Sequence, residues 1–563
     1  MINKDNAIRL IPLGGFGQIG MNSLLLEASG KLMMIDCGVM FPSAPKYGID
    51  IIHPSFDYLR TRRDDLVGVV LTHGHEDHIA GIPFLLKEMY VPVYGTDYTL
   101  GLVRERMSEF EHSQSLDAKY FKLGDHLEMG PFKVTSFQMP HSIIQNAGFV
   151  IEVSGLKILH TGDFKLRMKD KSKGEETLER LKNLAGDNVD LMISDSTGAE
   201  ENQNAGEEST VLKTLTELAR DTSGMMVVAT FSSNIQRIES LVQVAQKTGR
   251  YMFISGRSVE THVSIATSVN ALKLPQSVMI SEKQLSSLPR NRILAVISGT
   301  QGEKRSSLGR LASDTHKNLS VETGDTVVLS SRFIPGNELA IAQTIDSLLR
   351  LGARVVHNKN HEGVHVSGHG SKKEIRAAIN AVKPKALLPA HGTYRHMSAT
   401  AEIARSLGIP SVEIASNGDI VCLSKSGLSL DGEVVPSGKV NIDGGSSVSS
   451  TIMHDRSILG ARGVLYVGWI TEDQGRAKVE PEVFSRGVVS EEMHGWFADQ
   501  VREEINRLNE RISDNVRLDN DAAKEYIRKH LRRFAKKIIN REPYVIITIL
   551  SHKGTRLYDM RKL

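Results

Sequence analysis

The chain has 563 residues, 69 lysines and arginines against 66 aspartates and glutamates, and two cysteines. That length predicts several domains, and a content of 40% hydrophobic and 24% charged residues excludes a largely disordered chain. A net charge of +3 is far below that of a protein that coats nucleic acid, but it leaves open an enzyme that grips nucleic acid locally.

The first 200 or so residues predict short strands separated by glycine-rich turns. Their apolar runs are Ile8–Leu13, Ser23–Glu27, Lys31–Ile35, Val67–Thr72, Phe132–Phe137, Phe149–Val153, Lys157–His160 and Asp190–Ser194. From about residue 209 strands alternate with helices, which is typical of βαβ units around a parallel sheet. These elements are Thr210–Arg220, Met225–Thr230, Ile235–Thr248, Tyr251–Ile254, Thr326–Ser330, Asn337–Leu351 and Ala353–Val356.

After about residue 360 the earlier pattern returns, with the helices Lys372–Val382 and Met397–Leu407 around the strand Ala386–Pro389. Glycine and serine are frequent in Ser424–Ser450, which predicts a linker. The chain beyond it predicts a separate α/β module of two amphipathic helices and three strands, namely Glu491–Ile512, Ala522–Ile539, Val464–Ile470, Lys478–Phe484 and Tyr544–Leu550.

The segment Gly15–Gly20 matches the G-x-G-x-x-G fingerprint of dinucleotide-binding folds, and Asp36 follows at a suitable distance. Such a site requires the loop to open a helix, whereas Met21–Glu27 predicts a strand. We therefore interpret these glycines as a tight turn that lets neighbouring backbone approach.

The segment His73–His78, with the sequence HGHEDH, directly follows a predicted strand. An extended His-x-His places both imidazoles on one side, and the turn into a helix near Ile79 directs Asp77 and His78 to a second position. Because the chain has only Cys37 and Cys422, any metal must be held by histidines and carboxylates. The spacing predicts two adjacent ions, with zinc or manganese as the metal.

Three more candidate ligands follow predicted strands and stand beside or near glycines: His141, Asp163 and His391. HGHEDH together with the later His141, the triplet Thr161-Gly162-Asp163 and the pair His391-Gly392 resembles the metallo-β-lactamase fold. This resemblance implies a four-layer αββα sandwich with two divalent metal ions. It assigns His73, His75 and His141 to one ion, assigns Asp77, His78 and His391 to the other, and makes Asp163 the bridge.

The region between Asp195 and His369 narrows the resemblance. Ile193–Thr197 is similar to the acidic motif A of β-CASP nucleases, Val366–His369 to motif B, and His391 to motif C. With Gly256–Ser258, Ser298–Glu303 and Ser331–Glu338, the sequence is identified as a member of the ribonuclease J family, and the likeness covers nearly the whole chain. The ligand set is complete, which argues against a metal-free paralogue.

The resemblance implies an α/β (α+β) architecture in which a metallo-β-lactamase domain, residues 1–205 and 359–430, is interrupted by a β-CASP domain, residues 206–358. A linker, 431–455, and a C-terminal domain for oligomerisation and RNA contact, 456–563, follow. Three positions depart from the family pattern, namely Gly198, Gln236 and the segment Asp443–Val448. These departures concern 5′-end binding and linker packing and leave the metal site intact.

The expected reaction is hydrolysis of RNA phosphodiesters, both 5′→3′ from a monophosphorylated end and internally, in ribosomal RNA maturation and messenger RNA decay. Two bound metals would supply hydroxide for attack on phosphorus near neutral pH, and Asp77 or Asp163 would hold that hydroxide by a hydrogen bond. His369 is the candidate general acid for the leaving 3′-oxygen, with Asp195 orienting it and raising its pKa.

The candidate 5′-phosphate ligands lie on turns before helices, where hydroxyl groups, backbone N–H groups and guanidinium groups can bind an anion. They are Ser232, Ser233, Asn234, Arg237, Arg257 and Ser258, with the 298–303 loop as a further candidate. Further substrate-binding candidates lie in motif B and directly before it. They are His365, Ser367, Gly368 and His369.

Tyr526–Arg541 carries seven basic residues and no acidic one, with an apolar stripe at helical spacing. RNA contact and a merely solvated face are equally open for this helix. The resemblance implies a homodimer or homotetramer and association with RNA-decay proteins. The cysteine usage, the absence of a run of about 18 apolar residues and the N-terminal sequence lead us to expect a cytoplasmic protein without a membrane segment.

Two other classes of function compete with this interpretation. Within enzymes, a β-CASP DNA nuclease would share the same site, while a small-molecule hydrolase of glyoxalase type would not need the inserted domain. The other class is a chiefly non-catalytic RNA-binding subunit of a decay complex, against which the complete ligand set argues.

Overall fold

The computed structural model describes residues 7–42, 47–110, 115–168, 171–186, 188–202, 205–334, 336–471, 480–511 and 521–551. The chain divides into two compact units, one of Met1–Pro45 with Ile49–Gly445 and one of Lys46–Gly48 with Ser446–Leu563. Parts of the predicted strand Lys478–Phe484 and of the predicted helix Glu491–Ile512 lie outside the described residues.

The first part of the larger unit consists of short strands with few helices between them. The strands are β1 (Ile8–Gly14), β2 (Phe16–Gly17), β3 (Ser23–Ala28), β4 (Lys31–Ile35), β5 (Ile51–Pro54), β6 (Leu66–Val70), β7 (Val93–Gly95), β8 (Ala118–Tyr120), β9 (His126–Met129), β10 (Phe132–Gln138), β11 (Ala147–Val153), β12 (Leu156–His160) and β13 (Leu191–Asp195). The helices are α1 (Asp57–Arg60), α2 (Glu76–Ile79), α3 (Ile82–Glu88), α4 (Asp97–Ser108) and α5 (Lys171–Ala185).

The middle of the unit alternates helices and strands, as predicted. Its elements are α6 (Glu208–Asp221), β14 (Met226–Ala229), α7 (Ile235–Thr248), β15 (Tyr251–Ser255), α8 (Arg257–Ser268), α9 (Glu282–Leu285), β16 (Ile293–Ile297), α10 (Ser307–Ala312), β17 (Thr326–Leu329), α11 (Glu338–Arg350) and β18 (Arg354–His357). The five strands form a parallel sheet in the order β15-β16-β14-β17-β18. Strands of such a sheet are buried on both faces, which explains their nearly continuous apolar sequences.

The last part of the unit completes the sheets that the first part began. Its elements are α12 (Lys372–Val382), β19 (Ala386–Ala390), β20 (Gly392–Thr393), α13 (Tyr394–Ser406), β21 (Ser411–Val412), β22 (Asp419–Ser424), β23 (Gly427–Val434) and β24 (Lys439–Asp443). Strand β19 pairs with β13, so the middle part is an insertion between neighbouring strands. The segment predicted as a linker is therefore largely ordered: β23 pairs with β22, and β24 pairs with β5.

Two mixed sheets face each other in the larger unit, in the orders β23-β22-β1-β3-β4-β6-β7-β8 and β21-β19-β13-β12-β11-β10-β9. Between them lies an apolar core that includes Leu26, Met33, Phe149, Ile193 and Leu388. Two further cores lie on the outer faces, one with side chains of α3 and α4 and one with side chains of α5, α12 and α13. Layers of helix, sheet, sheet and helix confirm the predicted αββα sandwich.

The glycine-rich segment before β3 is a turn, as predicted, and no helix follows it. Gly15, Gly17 and Gly20 have φ of 84°, 80° and 86°, which only glycine adopts without strain. A Cβ on Gly15 would lie 2.3 Å from the Asn22 side-chain oxygen. The turn is thus required by packing beside Asn22 and not by a nucleotide.

The smaller unit is a three-stranded sheet with helices packed on it. Its elements are β25 (Ser446–Val448), α14 (Ser450–Arg462), β26 (Val464–Thr471), β27 (Glu482–Arg486), α15 (His494–Arg511), α16 (Asp521–Ile539) and β28 (Tyr544–Ser551). The sheet order is β27-β26-β28. Within the described part of the chain, no helix is both long and apolar enough to cross a lipid bilayer.

Candidate metal centre

The segment HGHEDH turns from the end of β6 into the short helix α2, as its sequence predicts. His75 is extended, with φ −73° and ψ 146°, and caps α2, which carries Asp77 and His78. A Cβ on Gly38 would lie 1.7 Å from the backbone oxygen of Asp77. Glycine at position 38 therefore allows the chain after β4 to pass directly against this helix.

The first predicted ligand group is assembled from three different strand ends. His75 Nδ1 lies 2.9 Å from His73 Nε2 and 3.3 Å from His141 Nε2. Asp163 Oδ2 lies 3.8 Å from His73 Nε2 and 3.9 Å from His141 Nε2. Because uncharged imidazole nitrogens converge beside one carboxylate oxygen, these four side chains form a candidate site for a cation.

The second group lies on the other side of Asp163. Asp77 Oδ2 is 3.4 Å from His391 Nε2 and 3.7 Å from His78 Nε2. Asp163 Oδ2 lies 3.3 Å from His78 Nε2, and its Oδ1 lies 2.7 Å from His391 Nδ1. One carboxylate, that of Asp163, thus contacts both groups, which is the position that the family resemblance assigned to the bridging ligand.

Hydrogen bonds behind the histidines determine which ring nitrogen faces the centre. His78 Nδ1 donates to Asp36 Oδ2 at 2.7 Å, and His141 Nδ1 donates to the carbonyl of Gly368 at 2.7 Å. Asp36 is itself held by the N–H and hydroxyl of Thr72, at 2.7 and 2.8 Å. These bonds turn both Nε2 atoms towards Asp163, which is the orientation that a metal ligand needs.

Asp36 and Asn22 support His78, and the sequence pattern alone did not predict these roles. Asn22 Nδ2 lies 3.0 Å from His78 Nε2 and 3.2 Å from the backbone oxygen of Asp77. The available signal for Asp36 was its place directly after a strand, which is the same signal that pointed to Asp163. Asp36 also fits the acidic position of the dinucleotide fingerprint, which the strand after Gly20 excludes.

Burial and neighbouring charges set the protonation of the centre. Burial and the adjacent imidazoles hold the pKa of His73 and His141 well below the ordinary value, and burial lowers the pKa of His75 to about 4. Although burial opposes it, Asp163 raises the pKa of His391 to about 10. The first group is therefore made of neutral imidazoles, as a metal ion requires.

The carboxylates of the second group favour a positive charge beside them. The Asp163 carboxylate is buried and that of Asp77 is 31% exposed, and neighbouring histidines hold the pKa of both below the usual range although desolvation opposes this. His391 Nε2 is buried, has no hydrogen-bond partner among the described residues and lies 3.4 Å from Asp77 Oδ2. An unpartnered imidazole nitrogen beside two carboxylates fits a divalent cation, so the residues present suit the metal that the motif predicts.

His369 and Asp195, the predicted proton-transfer pair, lie at the edge of the same cluster. His369 Nδ1 donates to Asp195 Oδ2 at 2.8 Å, and Asp195 Oδ1 accepts from the N–H of Thr197 at 2.9 Å. Burial opposes charge on His369, but Asp195 and Asp163 raise its pKa. Its side chain is 24% exposed, so the protonated ring is accessible from solvent.

Three of the predicted 5′-phosphate residues lie in the turn before α7, and Gln236 of that helix approaches the carbonyl of His141 at 3.5 Å. Ser232 and Ser233 are half-buried in the turn before α7. Asn234 caps that helix, because its side-chain oxygen accepts from the N–H of Arg237 at 3.1 Å. The Phe231 ring lies 6.5 Å from the ring of His365, whose buried Nδ1 has no partner among the described residues.

Motif B forms a tight turn against the first ligand group. The Ser367 hydroxyl donates to the carbonyl of His369 at 3.0 Å and accepts from its N–H at 3.1 Å. Lys165 Nζ donates to the carbonyl of Ser367 at 3.1 Å. A Cβ on Gly368 would lie 2.7 Å from the Ser142 hydroxyl, so glycine is needed for this approach.

Arg237 was wrongly assigned to phosphate binding. Its side chain is fully buried, its guanidinium forms an ion pair with Glu208, and it donates to the carbonyl of Val364 at 3.3 Å. A guanidinium with these partners supports the fold and is not free to hold a phosphate. Arg257 and Ser258 are exposed at the start of α8 and are not members of the cluster.

We expect Arg237→Met to lower the free energy of unfolding by about 3 kcal/mol or more, because the half-buried carboxylate of Glu208 and the buried carbonyls of Ser330 and Val364 lose their shared donor. The matched variant Arg257→Met removes an exposed guanidinium and should leave stability unchanged. Chemical denaturation followed by circular dichroism measures both. Equal stability of the two variants would contradict the structural role of Arg237.

Four family profiles match consecutive parts of the chain. They are described as a beta-lactamase superfamily domain (residues 35–230), the beta-CASP domain of ribonuclease J (223–348), a Zn-dependent metallo-hydrolase RNA specificity domain (354–412) and the ribonuclease J C-terminal domain (451–552). These matches show a metal-dependent hydrolase, and the histidine and aspartate cluster suits a divalent cation.

A solved structure with the same fold is a protein of unknown function from Enterococcus faecalis V583. It has a TM-score of 0.53 and 14% identity, and it covers 74% of this chain and 100% of its own.

Curated relatives match over nearly the full length. Ribonuclease J2 of Bacillus subtilis is 31% identical over 97% of this chain and 99% of its own. Ribonuclease J of Mycolicibacterium smegmatis is 33% identical over 96% of this chain and 97% of its own, and ribonuclease J of Helicobacter pylori strain B128 is 31% identical over 95% and 79%. The chain belongs to the ribonuclease J family.

Proposed function

We propose that this chain hydrolyses RNA phosphodiester bonds at a pair of divalent ions, Zn²⁺ or Mn²⁺, both internally and from a 5′-monophosphorylated end. The observation that carries the proposal is the position of Asp163, which contacts both histidine groups and lies 3.9 Å from His369 Nδ1. The proposed metal ligands and the proposed proton donor, His369, therefore lie beside the same carboxylate. Bound divalent ions supply Lewis-acid catalysis, which acidifies a water molecule and neutralises charge on phosphoryl oxygens.

The chain's own residues supply binding, orientation and proton transfer. His73, His75 and His141 are the proposed ligands of one ion, and Asp77, His78 and His391 those of the other. Asp36 and Gly368 orient His78 and His141. His369 gives a proton to the leaving 3′-oxygen, and Asp195 holds the ring so that Nε2 carries that proton. The products are a 5′-phosphate and a 3′-hydroxyl.

The test is incubation of 5′-monophosphorylated, end-labelled RNA with the chain in Mn²⁺ or Zn²⁺. We expect wild type to release mononucleotides, and Asp77→Ala and His78→Ala to lose roughly 10²-fold or more in rate, because each removes a ligand. Glu76→Gln is the matched control: it lies in the same motif, but its carboxylate faces Arg106 at 3.7 Å and not the cluster. Full activity of Asp77→Ala would refute the metal assignment.

We expect the 5′-phosphate to bind between the 232–234 turn and motif B. Ser232→Ala combined with Ser233→Ala should raise KM for 5′-monophosphorylated RNA about tenfold, because hydrogen bonds to a charged group are lost. A circular RNA of the same sequence has no 5′ end, so its internal cleavage should not change. Equal rates of wild type on 5′-triphosphorylated and 5′-monophosphorylated RNA would contradict a fitted pocket.

The same arrangement would cut single-stranded DNA if the site did not read the ribose. Competition between RNA and DNA of one sequence separates the two substrates. We further propose that the smaller unit supports a homodimer or homotetramer, as the resemblance implies, which sedimentation of the full chain measures.

A further inference from the structure

Among the described residues, the three-stranded sheet of the smaller unit has one covered and one open face. Leu465, Val467 and Trp469 point to the covered face and pack with side chains of α15 and α16. On the open face Phe484 is 44% exposed, Tyr544 39% and Ile546 40%. The remaining described helix, α14, contacts β28, but none of its side chains is buried.

The open face is aromatic because of the strand register. Tyr466 of β26 stands opposite Phe484 of β27 on one side and Ile546 of β28 on the other. In the neighbouring row, Val464 stands between Arg486 and Tyr544. Since adjacent strands are about 5 Å apart, the rings of Phe484, Tyr466 and Tyr544 lie in a patch roughly 10 Å wide, which is enough for two stacked bases.

The orientation of Phe484 is fixed from two sides. The Arg486 guanidinium lies 5.0 Å from the ring centroid. The His494 ring meets Phe484 edge-on, with centroids 5.6 Å apart. A preoriented aromatic ring with an adjacent guanidinium is the arrangement on which nucleic-acid bases stack in single-strand binding proteins.

A basic cavity adjoins this patch. Its open volume of about 430 Å³ is lined by Ala461, Arg462, Gly487, Arg541 and Glu542. The carboxylate of Glu542 is already paired with Lys536 at 2.6 Å and Arg532 at 3.5 Å. Glu542 also interacts with Arg462, and Arg541 donates to the carbonyl of Val488 at 2.5 Å. Since this one carboxylate faces several basic side chains, the cavity keeps a net positive charge and suits a phosphate group.

We propose that this face binds single-stranded RNA, with bases stacked on Phe484, Tyr466 and Tyr544 and a backbone phosphate between Arg462 and Arg541. The choice of RNA rests on the proposed function. The guanidinium groups of Arg462 and Arg541 give this face a charge complementary to phosphate, whereas a second copy of the chain presents the same positive groups. The proposed surface differs from the basic side of α16.

The test is the affinity of the full chain for a fluorescent, unstructured RNA of about 12 nucleotides, measured by anisotropy with a chelator present so that the RNA is not cut. Phe484→Ala with Tyr544→Ala should raise Kd about tenfold or more, because two stacking platforms are lost. Phe484→Tyr with Tyr544→Phe keeps both platforms and should retain wild-type affinity. Arg462→Gln should lower the slope of log Kd against log salt by about 1.

Trp496→Ala is the matched control and should leave Kd unchanged, since Trp496 is a 46% exposed aromatic side chain of the same unit on α15. An unchanged Kd in Phe484→Ala with Tyr544→Ala overturns the inference. If this variant forms a smaller oligomer but keeps the wild-type Kd, the face binds a second copy of the chain, and the inference is overturned as well. If wild type neither binds nor cuts RNA, the proposed function fails as well. If wild type cuts RNA and Phe484→Ala with Tyr544→Ala binds RNA with the wild-type Kd, only the inference about this face fails.

Discussion

Asp163→Asn is expected to lower the rate of RNA cleavage by roughly 10³-fold, since several kcal/mol of transition-state stabilisation are lost. The Asp163 carboxylate contacts His78 at 3.3 Å and His391 at 2.7 Å, and it lies within 4 Å of His73 and His141. An amide keeps the shape of the side chain but removes the negative charge that both sites would share. The variant should therefore lose metal as well as activity.

Metal content after dialysis and nuclease rate together test this expectation. Wild type should retain two equivalents of divalent metal, and Asp163→Asn should retain fewer. The matched variant Asp36→Asn changes a carboxylate that contacts His78 from behind, at 2.7 Å. It should cost about 10–100-fold, as is typical of groups that orient a ligand. Full metal content and normal cleavage in Asp163→Asn would refute a shared carboxylate.

Much of the site could be predicted from the sequence because its side chains follow strands. His73, His141, Asp163 and His391 lie at the ends of β6, β10, β12 and β19, where the strand pattern and the ligand type are both visible. The parallel order of the inserted sheet could be predicted as well, since alternating helices and strands leave few other topologies. These features depend on local pattern alone.

The features that the sequence could not reveal depend on contacts between distant segments. A charged residue in a turn looks the same whether it faces solvent or a buried carboxylate, so Arg237 was assigned to phosphate although it pairs with Glu208. The bond of His141 to the carbonyl of Gly368 joins residues 227 positions apart and involves no side-chain signal at position 368. Glycine and serine between β22 and β24 suggested a linker, but ladder hydrogen bonds depend on the backbone and not on side-chain type.

The second large effect is expected for His369→Ala, which should lower the rate of RNA cleavage by about 10²–10⁴-fold and leave metal content unchanged. His369 is proposed as a proton donor and not as a ligand: its Nδ1 is bonded to Asp195, and its ring is 24% exposed. Asp195→Asn should show a smaller loss of the same kind, because the ring remains but loses the carboxylate that favours its charged form.

A substrate with a better leaving group distinguishes proton donation from a merely structural role. A phosphodiester that releases p-nitrophenolate needs no proton on its leaving oxygen, so general acid catalysis contributes little to its hydrolysis. We therefore expect His369→Ala to cleave this ester at nearly the wild-type rate while it fails on RNA. Glu76→Gln should cleave both substrates normally. Equal losses on RNA and on the p-nitrophenyl ester would mean that His369 organises the site, and normal cleavage of RNA by His369→Ala would exclude it from the reaction.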